Sequence, residues 1–159
     1  MVTGSMALSV YAQPRMTRDI DLVVECEPKD AARIAGLFRD DCYAEESEIR
    51  EAATHRSMFN IIHNEWIVKA DFIVRKQDEY HRLEFSRRRD AEIAGTFITV
   101  VSPEDLVLSK LVWSRESGSE LQLRDVRVLL AASLHLDWAY LEKWADTLRV
   151  PDLLAEVRR

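Results

Sequence analysis

Asp19 and Asp21 stand one isoleucine apart in "RDIDLVV". Successive side chains of a strand point to opposite faces, so this spacing puts both carboxylates on one side and Ile20, Leu22 and Val24 on the other. Two anions held so close raise each other's pKa unless a cation neutralises them, and Mg²⁺, or Mn²⁺ in its place, suits a pair of hard oxygen ligands. By itself the pair reads either as the solvated mouth of a strand or as half of a metal site. A second stretch, "WIVKADFIV", tips the balance. Its even positions, Trp66 to Val74, form an apolar wall, while its odd positions interleave Lys69 and Asp71 with Ile67 and Ile73. An aspartate in mid-strand is costly without a partner. If the two strands are neighbours, Asp71 becomes a third carboxylate on one surface, which is the donor set of metal-assisted phosphoryl transfer. Gly4 and Ser5 then gain a purpose: glycine allows close backbone approach, and a hydroxyl beside a helix N-terminus suits a triphosphate.

Several elements must hold these groups in place. Met6 to Ala12 make two helical turns ended by Pro14, and "IDLVVE" is a buried strand. "PKDAARIAGLFRD" reads as an amphipathic crossover helix started by Pro28. A short helix over Glu46 to Ala53 leads into a hairpin of "SMFNIIH" and "WIVKADFIV", turning at His63-Asn64-Glu65. Asp78 to Arg89 is polar and helix-forming, and Gly95 separates "AEIA" from a last strand, "TFITVV". From Ser102, an N-cap followed by Pro103, the chain is helical: "SPEDLVLSKLVWS", then "LQLRDVRVLLAAS" after an "ESGSE" linker, "DWAYLEKWADTL" and "PDLLAEVRR". The expected organisation is an α/β core over 1–101 and a helical subdomain over 102–159.

The 159 residues, 47% hydrophobic and 31% charged, suit an ordinary globular fold. A formal net charge of −6 disfavours a general nucleic-acid coat. Cys26 and Cys42 lack a CxxC pairing or a nearby histidine and read as reduced thiols of a cytoplasmic protein. No apolar run reaches the roughly 20 residues of a membrane helix, and the start lacks the basic leader of a secretory signal.

"GS", thirteen intervening residues, "DID" and a later "KADF" strand resemble the nucleotidyltransferase superfamily of DNA polymerase beta. Within it, "PRMTRDIDLVV" and "EDLVLSKLVWSRESGSELQLRDVRVLL" look most like the AbiEii-type nucleotidyltransferases, the toxins of type IV toxin-antitoxin systems. The resemblance implies an α/β (α+β) fold with a mixed, twisted sheet and a small C-terminal helical subdomain. It implies transfer of a nucleoside monophosphate from an NTP to an acceptor, whether tRNA, protein or small molecule, with an antitoxin as partner and a homodimer as one assembly. Asp19 and Asp21 match the metal ligands, and Asp71 matches the aspartate that assists metal binding and activates the acceptor hydroxyl. Gly4 and Ser5 match the phosphate-holding pair, Lys110 the lysine that contacts the triphosphate, and Asp125 the aspartate beside it. Arg15, Thr17, Lys69 and Arg115 join the nucleotide-binding set, and Arg124 lies beside Asp125. In relatives a whole strand precedes the Gly-Ser; this chain offers Met1, Val2 and Thr3, so either the start is truncated relative to relatives or the sheet begins short.

On a helix near Glu120, Asp125 interrupts an apolar stripe of Leu121, Val128, Leu129 and Ala132 and needs a partner. Lys110 or an arginine could serve, either in catalysis or as an ion pair docking two helices. "RRRD" at Arg87 to Asp90 reads as a solvated face or as a grip for an RNA chain. Trp113, Trp138, Tyr140 and Trp144 are expected in the core of the helical part, and the four histidines show no metal-ligand spacing. The alternative to an enzyme is a non-catalytic, NTP-binding or regulatory protein on the same fold.

Overall fold

The computed structural model describes residues 1–17, 19–132 and 135–159. Within them the first helix, α1 (Gly4–Tyr11), begins at the Gly-Ser pair itself and leads to strand β1 (Asp19–Val24). A 3-10 turn, Pro28–Asp30, splits the expected crossover helix from α2 (Ala31–Phe38). The cause is a capping box in which the Asp30 carboxylate accepts the Glu27 amide at 2.9 Å. Next come a two-residue strand β2 (Cys42–Tyr43), α3 (Glu46–His55) and the hairpin β3 (Met58–His63) and β4 (Lys69–Val74). These four strands form one mixed sheet in the order β1-β4-β3-β2, with β1 and β4 parallel and the other pairs antiparallel.

The hairpin differs from its sequence reading at its tip. β4 starts at Lys69, so Trp66 and Val68 belong to no apolar wall; Trp66 is 70% exposed. The backbone leaves the strand because the amides of Glu65 and Trp66 both donate to His63 Nδ1, at 3.2 Å each. The Trp66 ring stacks on that imidazole at 4.3 Å between centroids, and Ile67 takes a left-handed backbone, φ +50.

α4 (Glu79–Ser86) is followed by a second hairpin of β5 (Arg89–Ile93) and β6 (Thr96–Val100). "RRRD" spans the end of one element and the start of the next: Arg87 is the C-cap of α4, while Arg89 and Asp90 open a strand, and only the second half of this hairpin was legible. Its turn uses Ala94 and Gly95, both at positive φ, where Gly95 carries no Cβ penalty. The first three residues tie this hairpin to the main sheet. Val2 donates to Thr99 O and accepts from Val101 N, while Met1 and Val23 exchange backbone bonds and Thr3 N donates to Asp21 O. Val2 thus bridges β1 and β6, pairing with Leu22 on one side and Val100 on the other.

The chain ends in α5 (Pro103–Ser117), α6 (Glu120–Ala131), α7 (Trp138–Thr147) and α8 (Pro151–Arg158). Ser133, where the second of these stretches is expected to end, lies outside the described residues. One core sits between the sheet and α2–α3, built on Ala31, Ile49, Ala52, Phe59, Ile61 and Val74. The larger core gathers α1, β6 and α5 to α8 around Leu8, Val100, Leu106, Leu111, Leu129 and Leu141. Trp144 belongs to it, but Trp113 is half exposed rather than core.

Arg87 is no solvated arginine either. It donates to Asp105 Oδ2 at 3.2 Å and to Glu104 Oε2 at 3.1 Å, and its guanidinium lies 3.9 Å over the Tyr140 ring. Asp105 also accepts Ser102 and Tyr140 hydroxyls at 2.6 Å each. This network joins the end of α4 to α5 and α7 near buried Glu84, whose carboxyl burial pushes up to about 8, with Asp105 and Asp78 adding to the shift.

Candidate active site

The parallel ladder decides the geometry. Asp19 is paired with Lys69 and Asp21 with Asp71, so all four side chains share one face of adjacent strands. On the other side of β4, Asn60 of β3 is paired with Asp71 and joins that face. Asp19 is exposed, Asp21 half-buried and Asp71 buried at 8% exposure. Burial, then the charges of Asp71 and Asp19, raise the pKa of Asp21. Lys69 Nζ lies 2.9 Å from Asp71 Oδ2. The bond to Asp71 holds the Lys69 ammonium above its usual range, with Asp19 and Asp21 adding to it. Asp71 Oδ1 and Asn60 Oδ1 are buried and have no hydrogen-bond partner.

A metal can be weighed against that arrangement. An orphaned carboxylate oxygen, beside a half-buried aspartate whose charge its neighbours oppose, is a donor set short of positive charge. Among the described residues no group of three or more His, Cys, Asp or Glu side chains closes into a metal cage. Mg²⁺ seldom needs one, since it binds through one or two carboxylates together with substrate phosphates and water. The residues fit a hard divalent cation shared with a nucleotide.

Gly4 abuts this face. A Cβ on residue 4 would fall 1.9 Å from Asp21 Oδ2, and the residue sits at φ +61, so only glycine fits on both counts. The N-cap, Thr3, makes no side-chain cap bond, which leaves the first amides of α1 free to meet an anion.

A second cluster continues from Ser5. Its hydroxyl accepts a hydrogen bond from Arg15, whose guanidinium also reaches Asp125 at 3.1 Å. Lys110 Nζ donates to Asp125 Oδ2 at 2.7 Å and to Gln122 Oε1 at 3.1 Å. Lys110 and Asp125 are buried, at 3% and 2% exposure. Burial lowers the pKa of Lys110, against the pull of Asp125, and the Lys110 charge in turn eases that of Asp21. Two cations thus share one buried anion, and the cluster keeps a net positive charge facing the carboxylates. A cavity of about 310 Å³ opens beside it, lined by Leu8, Gln13, Arg15, Leu121, Arg124 and Asp125 among others. A larger one, about 410 Å³, lies between α7 and α8 and touches none of these residues.

Two nucleotide-binding expectations stand apart. Arg115 donates to the Leu148 and Arg149 carbonyls, anchoring α5 to the α7–α8 connection. Thr17 shapes the entry to β1, its hydroxyl bonding the backbone of Asp19. Sequence reasoning missed Asn60 and Gln122. Asn60 had a signal, being the polar interruption of "MFNIIH"; Gln122 on an exposed helix start had none.

A family model described as "Nucleotidyl transferase AbiEii toxin, Type IV TA system" matches residues 1–154. The chain belongs to the AbiEii family. Nucleotidyl transfer is accordingly the activity class of this AbiEii protein. Two solved structures share its fold. An antigenic nucleotidyltransferase-like protein from Paracoccidioides brasiliensis is 15% identical, with TM-score 0.55 over 99% of this chain and 83% of that one. The lincosamide antibiotic adenylyltransferase LnuA, bound to lincomycin, is 12% identical, with TM-score 0.51 over 83% and 85%. No curated protein matches the AbiEii chain significantly. Among the described residues no helix is long and apolar enough to cross a membrane.

Proposed function

We propose that the protein transfers a nucleoside monophosphate from an NTP to a hydroxyl-bearing acceptor in the cleft between the β1–β4 face and α5–α6. The observation that carries this reading is the pairing of Asp21 with Asp71 in a ladder whose carboxylate face Gly4 abuts. Asp19, Asp21 and Asp71 would hold Mg²⁺ or Mn²⁺. When bound, such an ion neutralises the carboxylates and polarises the phosphoryl oxygens.

The chain's own groups do the rest. The Ser5 hydroxyl and the open N-terminus of α1 receive the β- and γ-phosphates, and Lys110 and Arg15, oriented by Asp125, supply the compensating charge. Asp71 takes the proton from the acceptor hydroxyl as the acceptor oxygen bonds the α-phosphorus; the bond from that phosphorus to the bridging oxygen breaks and pyrophosphate leaves. Arg115 has no part in this scheme. An antitoxin is the expected protein partner, in keeping with the type IV family.

Incubating the protein with each α-³²P-labelled NTP, Mg²⁺ and separate pools of tRNA, protein and small hydroxyl compounds tests the proposal. Label transfer by the wild type and none by Asp19→Ala is the expected result. Transfer that survives Asp19→Ala overturns the assignment.

A further inference from the structure

We propose that Lys69 is a tethered cation that competes with the divalent ion for Asp71 and must leave that carboxylate before the ion can bind. The inference rests on the reading of Asp19, Asp21 and Asp71 as a divalent-cation site.

Lys69 and Asp71 are two residues apart on one strand and therefore on one face, and the ladder pairs them with Asp19 and Asp21. The ammonium sits among three carboxylates and bonds Asp71 Oδ2 at 2.9 Å. The other oxygen of Asp71 is buried and has no partner. Asp71 is thus half neutralised, by a single charge on a flexible stem that is itself 37% exposed. A lysine ammonium is a compact, strongly hydrated point charge with rotatable donors, so it can swing to solvent with little loss. A divalent ion drawing on the same carboxylate cannot share it with an ammonium at contact distance, since a charge of two and a charge of one repel strongly in a partly buried site.

Two consequences separate this role from simple support. Without metal, Lys69 holds three carboxylates together, so its removal destabilises the metal-free protein. With metal, Lys69 is a competitor, so its removal tightens metal binding. A supporting residue gives the first effect and not the second.

The test is Mn²⁺ binding to the full chain, read by electron paramagnetic resonance without nucleotide, for wild type, Lys69→Met, Asp71→Asn and the double variant. Lys69→Met is expected to bind Mn²⁺ at least tenfold more tightly than wild type, and to make no difference in the Asp71→Asn background. Its melting temperature is expected to start below that of wild type and to rise further on adding Mn²⁺. On the wild-type protein, reductive methylation of Lys69 is expected to quicken when Mn²⁺ is added; this readout decides the matter if Lys69→Met does not fold. Equal or weaker binding by Lys69→Met, with wild type still binding, overturns the competition and leaves the metal reading intact. Absence of Mn²⁺ binding by every protein overturns the competition as well, since nothing is then held at Asp71 for Lys69 to oppose.

Discussion

Gly4 and Asp21 touch: the backbone of the first helical residue occupies the space where any side chain would meet the Asp21 carboxylate, at 1.9 Å for a bare Cβ. The phosphate-facing helix and the carboxylate strand are therefore fitted to each other at one atom's width.

Gly4→Ala is the direct probe of that fit. The left-handed backbone at φ +61 alone costs an alanine about 1–3 kcal/mol, and the clash pushes Asp21 from its place beside Asp71. Nucleotidyl transfer is expected to fall on the order of a hundredfold, since small misplacements of reacting groups cost that much. Circular dichroism and a melting curve, run beside the transfer assay, would show a folded but less stable protein; full activity in Gly4→Ala would show that the contact is dispensable.

Asp125 anchors two cations from within the protein, and its loss leaves Lys110 buried without its anion. Asp125→Ala is expected to cost about 3–5 kcal/mol, the usual penalty for breaking a buried pair by removing one partner. Urea unfolding measures it. Replacing both Lys110 and Asp125 by leucine-sized apolar residues is expected to recover at least half of that loss while transfer stays abolished. A double variant as unstable as Asp125→Ala would refute this account.

Glu84 sets a pH dependence of stability. Its folded pKa of about 8 stands above the ordinary 4.5, so between those values the folded chain holds a proton that the unfolded chain has released. Stability from this group is full below about pH 4.5 and is lost as pH rises towards 8, by an amount on the order of a few kcal/mol. Glu84→Gln keeps the shape without the titration and is expected to be more stable than wild type at pH 8.5, with a smaller gap at pH 5. Urea midpoints at the two pH values check the sign; parallel curves would show that Glu84 titrates normally.

The carboxylates were legible because chemistry and periodicity coincide: Asp19, Asp21 and Asp71 interrupt apolar alternation, and one assumption, that their strands are neighbours, aligns them. Asp125 announced itself in the same way, as an anion in an apolar stripe. What escaped depends on contacts that no local pattern records. Arg87 looks like any member of a basic run until the end of α4 brings it to Glu104 and Asp105. The 66–68 segment is as apolar and strand-prone as the residues after it, yet two amide bonds to the His63 ring outweigh that pattern. Arg115 has the residue type for phosphate, but its helix turns it to the Leu148 carbonyl.

The β1–β4 ladder and the tip of the β3–β4 hairpin differ in what they can tolerate. Along Asp19–Val24 and Lys69–Val74 the ladder fixes which face each side chain takes, so inserting or deleting one residue would turn Asp71 to the opposite side of the sheet. At the tip, Glu65, Trp66 and Ile67 are exposed and outside the ladder. Length variation among natural variants should therefore gather at 64–68 and be absent from the paired strands. That tip is also where a fluorescent label or a short epitope can be grafted within a few residues of the carboxylates without shifting them.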